Sequence, residues 1–226
     1  MNPTNYLKFT LLLLLLGLGE VTQLSAQYLP HAYWRFENPN PQADASGNGY
    51  NIQDTVPIGN TNPLVGTYYD VPDSTMSLAT FIPATLDDPD FLQEQLSLEF
   101  WYRRRKGDTQ GKIFWGNKGY FSFNEASIQF RVLLEPDTAR TLTLTLNQIG
   151  VLDINRTYNG DWHHFVGTYD IKTGQQEIWI DGICSGPMRV VHGSTARIRN
   201  GADLELSEEI AGGRLEGDFD EVAVYD

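Results

Sequence analysis

The sequence predicts an all-β domain of sandwich or barrel type, and three observations lead there. Apolar and polar residues alternate in short stretches, which places one side of each stretch in a core and the other in solvent. Gly, Asn and Asp turn signals separate these stretches at short intervals, and helical periodicity is almost absent.

In chain order, the alternation is seen in Met76-Leu78, Leu96-Leu98-Phe100-Tyr102, Ile128-Phe130-Val132 and Leu142-Leu144-Leu146. It continues in Ile178-Ile180, Leu204-Leu206 and Val222-Val224. Turns are expected at Ser46-Gly47-Asn48-Gly49, Lys106-Gly107-Asp108, Asn117-Lys118-Gly119 and Asn159-Gly160-Asp161, and again at Lys172-Thr173-Gly174 and Asp181-Gly182. The segment Asp54 to Asp73, rich in Pro, Gly, Asn and Thr, is expected to be the longest loop. One short helical turn is expected at Asp88 to Gln93, where an acidic N-cap precedes Pro89.

The first residues combine Lys8, an apolar run from Leu11 to Leu16, and a small residue at Ala26, the pattern of a signal peptide over residues 1–26. That run is about half the ~20 residues a membrane-spanning helix needs, so no membrane insertion of the mature chain is expected. No Cys follows the apolar core, so no lipoprotein anchor is expected. Residues 27–226 are 200 residues (226 minus 26), read as one domain, secreted or held at the cell surface. The leader carries one Lys and one Glu, so the mature chain keeps the net charge of −13. That charge repels phosphate backbones and argues against nucleic acid as a partner, whereas an excess of carboxylates suits calcium. Cys184 is the single cysteine and precludes an intramolecular disulfide.

The segment Trp162-His163-His164-Phe165-Val166-Gly167-Thr168-Tyr169-Asp170, followed after a turn by Gln175-Gln176-Glu177-Ile178-Trp179-Ile180-Asp181-Gly182, is the strongest local pattern. It resembles the central hairpin of laminin G-like domains, a branch of the concanavalin A-like lectin and glucanase superfamily. Ala32 to Glu37 with Asp44 to Gly49, Leu96 to Tyr102, and Phe219 to Tyr225 agree with that family in order and spacing, so the resemblance spans Tyr33 to Asp226. It implies a two-sheet antiparallel jelly-roll sandwich with the first and last strands adjacent, and a core that contains Trp34, Trp101, Trp162 and Trp179. It also fits a bacterial exported protein better than an animal matrix protein, given the short leader and the lack of disulfides.

Asp44, Ser46 and Asn48 carry oxygens at every second position before Gly49, as in the first half of a calcium loop. The place of a bidentate Glu is taken by Thr55, which excludes an EF-hand. Family resemblance implies a structural calcium held by Asp44 and Asn48 with Asp220 from the last strand, and Glu37 as a weaker candidate. Glu216, Asp218 and Asp220 share one strand face by their spacing, the arrangement of a glucanase carboxylate set, but the third member is an Asp and the triplet leads into the last strand. No catalytic residue is assigned from it. His163 and His164, as strand neighbours, point to opposite faces and cannot chelate one ion together. No Gly-x-Ser-x-Gly elbow and no phosphate-cradling glycine loop occurs.

Sugar rings stack on exposed aromatic faces, and Trp115 and Tyr158, each beside a turn, are the expected platforms, with Tyr68 and Tyr69 in the long loop as further candidates. Arg103, Arg104 and Arg105 with Lys106 form a basic run expected at a solvated strand end, available to an acidic glycan. The reading that unites these features is a secreted, non-catalytic module that binds carbohydrate or an extracellular protein. The alternatives are a glycoside hydrolase of the same architecture and a structural adhesion or spacer domain of a longer surface protein.

Overall fold

The computed structural model describes residues 29–52, 57–71, 94–104, 110–115, 119–124, 127–135, 138–145, 157, 159–186, 188–189, 197–198, 204–208 and 217–225. Met76-Leu78, the Asp88 to Gln93 turn, Arg105 and Tyr158 lie outside these residues.

The first four strands are β1 (Ala32–Trp34), β2 (Ile58–Gly59), β3 (Tyr68–Val71) and β4 (Gln95–Arg104). Next come β5 (Gln110–Trp115), β6 (Gly119–Asn124), β7 (Ser127–Glu135) and β8 (Thr138–Thr145). The hairpin strands are β9 (Trp162–Asp170) and β10 (Gln175–Ile180), followed by β11 (Ile183–Cys184) and β12 (Met188–Arg189). The last three are β13 (Arg197–Ile198), β14 (Leu204–Glu208) and β15 (Gly217–Tyr225).

These strands form two antiparallel sheets. A nine-stranded sheet runs β11-β10-β9-β4-β15-β3-β2, with β1 also on β15 and β12 on β10; a six-stranded sheet runs β13-β7-β6-β5-β14, with β8 also on β7. The expected adjacency of first and last strands is present as Ala32 opposite Val224 and Trp34 opposite Val222. The Asp54 to Asp73 segment is not wholly a loop: β2 and β3 pair within it, Ile58 opposite Tyr69. Tyr68 and Tyr69 supply the driving force, since both bury their rings.

The central hairpin forms as the pattern predicts, with Gln175 opposite Asp170 and Ile180 opposite Phe165. The Asp170 carboxylate accepts the Lys172 and Thr173 amides across the turn. At the next turn Asp181 and Gly182 both have positive φ, 50° and 77°, the conformation that matches strand twist in a two-residue hairpin.

Alternation decides what enters the core. Along β4, Leu96, Leu98, Phe100 and Tyr102 are buried, while Ser97, Glu99, Trp101 and Arg103 face the other side. Phe100 stands edge-on to Phe121 of the opposite sheet at 5.1 Å between centroids and stacks on Phe165 at 5.4 Å. Gly167, on the same inner face of β9, lets the two sheets approach: a Cβ there would lie 2.7 Å from Phe121 and 2.8 Å from Phe130. Gly167→Ala is therefore expected to lower unfolding stability by about 1–3 kcal/mol, since both rings sit in a packed core. Chemical denaturation checks this, and an unchanged midpoint would mean that the rings give way freely.

Among the described residues no helix is long and apolar enough to cross a membrane.

Candidate functional site

The loop after β1 is built around Asp44. One carboxylate oxygen accepts the amides of Tyr33 (3.0 Å) and Ser46 (2.9 Å); the other accepts the Ser46 hydroxyl (2.7 Å) and the Tyr50 amide (3.0 Å). A carboxylate offers about four lone-pair sites, and here each meets a donor. Asn48 spends its side-chain amide on the carbonyl of His31 at 2.9 Å. Both residues thus organise the loop, with each Asp44 oxygen already accepting from loop donors.

Asp220 is placed differently. Its side chain is fully buried, one oxygen accepts the Glu221 amide at 2.9 Å, and the other is buried without a hydrogen-bond partner. Glu37 has a similarly orphaned oxygen, while its second oxygen accepts the Thr67 amide at 3.2 Å. Burial pushes the Asp220 carboxyl from 3.8 up to about 7, opposed by the amides of Glu221 and Val65; the charge of Glu37 raises it further and that of Arg35 lowers it. Three positive-φ residues converge here, namely Phe36 (55°), Gly66 (55°) and Glu221 (52°), and they turn the backbone around the two carboxylates. Glu221 also lies at a β-bulge, where the register of β15 on β4 shifts between Asp220 and Ala223. Two orphaned carboxylate oxygens facing a low-dielectric site fit a hard divalent cation, whose remaining oxygens can be backbone carbonyls and water. Among the described residues no set of three or more His, Cys, Asp or Glu side chains converges.

Arg103 is not a free basic group. Its guanidinium pairs with Asp218 at 2.8 Å, donates to the carbonyls of Asn62 (2.7 Å) and Thr61 (2.9 Å), and lies between the rings of Tyr68 and Trp162 at 5.0 and 4.8 Å. Arg104 points the other way and is 2 % exposed. The solvated basic strand end expected from the sequence is therefore corrected at both positions, because alternation sends one guanidinium into a loop latch and the other into the interior. The same latch accounts for Asp218 of the carboxylate triplet, and Glu216 lies outside the described residues. Trp115 ends β5, opposite Gly119 and Leu204. Tyr68 and Tyr69 are buried and offer no platform.

Among the described residues, a group of side chains that meets solvent lies on the outer face of the nine-stranded sheet. A cavity of about 760 Å³ covers it, with Tyr33 of β1, Glu99 and Trp101 of β4, and Ala223 and Tyr225 of β15 as the floor. Glu221, Ser46, Leu64, Val65 and Leu29 contribute walls. This volume lies within the range of small-ligand sites. Glu99 accepts a hydrogen bond from Nε2 of His164 at 2.7 Å, and His164 packs beside Trp101 at 4.9 Å. Its carboxyl is held below the usual range by that His164 bond, against burial and with help from the Tyr225 hydroxyl. Burial and the Glu99 carboxylate push the Tyr225 phenol up to about 12, so it stays a donor. Burial raises the Glu221 carboxyl, which pairs with Arg35 at 3.3 Å.

His163 and His164 point to opposite faces as predicted. His163 is buried, between the Asp181 carboxylate at 2.8 Å and the Asn159 side-chain oxygen at 3.0 Å, where it ties two turns together. Of the four tryptophans expected in the core, Trp34 is there, its indole N–H on the Tyr50 carbonyl at 2.8 Å. Trp101, Trp162 and Trp179 are half-buried on the outer face.

A laminin G family model, described as Concanavalin A-like lectin/glucanases superfamily, matches residues 79–226, more than half of the chain. Among solved structures, the chain is similar to the binding domain of Paraclostridial Mosquitocidal Protein 1, with TM-score 0.64, 13% identity, and coverage of 86% of this chain and 48% of that one. It is also similar to botulinum neurotoxin type C, in a structure on cell entry through two ganglioside molecules, with TM-score 0.58, 12% identity, and coverage of 87% and 47%. A third is the binding domain of botulinum neurotoxin DC in complex with rat synaptotagmin II, with TM-score 0.57, 12% identity, and coverage of 89% and 49%. The chain spans about half the length of these structures, and at such identities the likeness concerns the fold alone. No curated protein matches the chain.

Proposed function

Because this chain belongs to the Concanavalin A-like lectin/glucanases superfamily, we propose that it is a secreted, non-catalytic module that binds a glycan or a protein outside the cell. The observation that carries this reading is the solvent-open cavity with Trp101 and Tyr33 on its floor, on the outer face of the nine-stranded sheet. Among the solved structures of this fold, two are named as binding domains, one of them in complex with a protein, and a third concerns interaction with gangliosides, which supports either class of partner. The leader at residues 1–26 fits export to the same compartment. Retention of the exported chain on immobilised neutral, sulfated and uronic polysaccharides tests the glycan arm. Capture by cell-surface protein after enzymatic removal of glycans tests the protein arm, and failure of both would sink the reading.

A structural calcium belongs to the same proposal, held by Asp220 and Glu37. The cation would neutralise two like-charged carboxylates and fix the Val65–Thr67 loop beside the cavity. Without metal, the raised Asp220 value means that the folded state favours the protonated acid. Its contribution to stability is then full below about pH 4 and is lost as pH rises through about 7, a cost on the order of a few kcal/mol. Calcium is expected to raise the melting temperature more at neutral pH than at about pH 4, and Asp220→Asn to remove both the pH dependence and the calcium increment. A melting temperature indifferent to millimolar calcium at neutral pH would end the calcium reading.

A further inference from the structure

The chemistry of the cavity lining narrows the ligand class. No Lys or Arg lines it, and two carboxylates do, so a sulfated or uronic chain would meet like charge in a protein that already carries −13. Nor is the lining an open cation trap. Glu99 is engaged by His164 at 2.7 Å and by the Tyr225 hydroxyl, and Glu221 by Arg35 at 3.3 Å, so each acid already has a base or donor at its side. What remains is a set of directional donors and acceptors, acidic and locally paired, with no Lys or Arg in the lining to hold an acidic chain, next to the indole of Trp101 and the phenol of Tyr33. A pyranose has matching chemistry: C–H groups on one face to lie on an aromatic ring, and hydroxyls around its edge that both donate and accept.

We propose that this cavity binds an uncharged saccharide, its ring stacked on Trp101 and its hydroxyls held by Glu99, Tyr225 and Glu221. The assignment rests on the binding-module reading and adds the ligand class and the residues that choose it. Apolar walls at Leu64 and Val65 exclude water from one side of the ring, and the Glu99–His164 contact fixes the carboxylate that would accept from vicinal hydroxyls.

Affinity electrophoresis tests this with the exported chain in gels that contain a neutral β-glucan, galactomannan or xylan, and in parallel gels with heparin, polygalacturonate or chitosan. Retardation by at least one neutral polymer, insensitive to salt, is the expected result. Trp101→Ala should weaken it about tenfold or more, and Trp101→Phe should restore part of the loss. A melting temperature close to wild type in Trp101→Ala keeps the comparison free of unfolding. Retardation only by heparin, polygalacturonate or chitosan, abolished by salt, would overturn the uncharged-saccharide assignment and leave the binding-module reading standing. Neutral-polymer binding that Trp101→Ala leaves intact would overturn the site. Absence of retardation in every gel would overturn the assignment, and the protein-capture experiment would then decide the broader reading separately.

Discussion

Phe100→Ala is expected to cost about 3–5 kcal/mol of unfolding stability, a large part of what a domain of this kind possesses. Phe100 is fully buried and touches both sheets: Phe121 across the sandwich, Phe165 beside it and Phe219 on the last strand at 6.2 Å. Its removal leaves a cavity among rings that cannot collapse without moving a strand. Urea unfolding measures the loss. The neighbouring Trp101→Ala removes a larger side chain yet should cost much less, because Trp101 is half-exposed on the outer face. Equal losses at 100 and 101 would contradict the assignment of faces along β4.

The second large effect is expected at Arg103. Arg103→Ala should cost about 3 kcal/mol or more, because the Asp218 side chain, 4% exposed, loses its guanidinium partner while it stays buried. The loss extends further than one ion pair. Arg103 also holds the carbonyls of Thr61 and Asn62, and Trp162 donates to the same Asn62 carbonyl at 3.0 Å. That latch fixes the loop that carries Leu64 and Val65 to the cavity wall. In a double-mutant cycle, Arg103→Ala with Asp218→Asn should be less destabilised than the sum of the single variants by about 1–3 kcal/mol. Additive losses would show that the two groups act independently.

Much of the fold was legible because it rests on local rules. The β9–β10 hairpin follows from alternation interrupted by Thr173-Gly174 and ended by Asp181-Gly182, whereas the pairing of the first and last strands was implied by the family resemblance of the ordered motifs around it. The Asp54 to Asp73 segment reads as loop alone, since β2 and β3 are too short to alternate; their pairing depends on burial of Tyr68 and Tyr69 by distant chain.

Less of the site is legible in the sequence, and the reason is physical. Trp101 shares β4 with Leu96, Leu98, Phe100 and Tyr102, and alternation alone sets it on the opposite face beside Ser97 and Glu99. The family expectation of a buried tryptophan overrode that signal, and the same parity applies to Trp179 between Ile178 and Ile180. Arg103 and Arg104 looked like one basic patch in sequence, whereas a strand sends neighbours to opposite sides. The spacing of Asp44, Ser46 and Asn48 reads as cation ligation, yet the same spacing serves a carboxylate that caps its own loop amides. Glu37 gained its place only through the left-handed turn at Phe36 and the bulge at Glu221, which bring it towards Asp220 from far along the chain. No local sequence pattern encodes that convergence.

The most direct test of a binding site at Trp101 applies one pair of proteins, wild type and Trp101→Ala, to the neutral polysaccharide that retards the wild type most. Retention and the release of new reducing ends are followed together over a day. A non-catalytic site at Trp101 predicts retention by wild type, loss of retention in Trp101→Ala with an unchanged melting temperature, and no reducing ends from either. Reducing ends released by wild type in proportion to enzyme, or equal retention of the two proteins, would contradict a non-catalytic binding site on the outer face of the nine-stranded sheet.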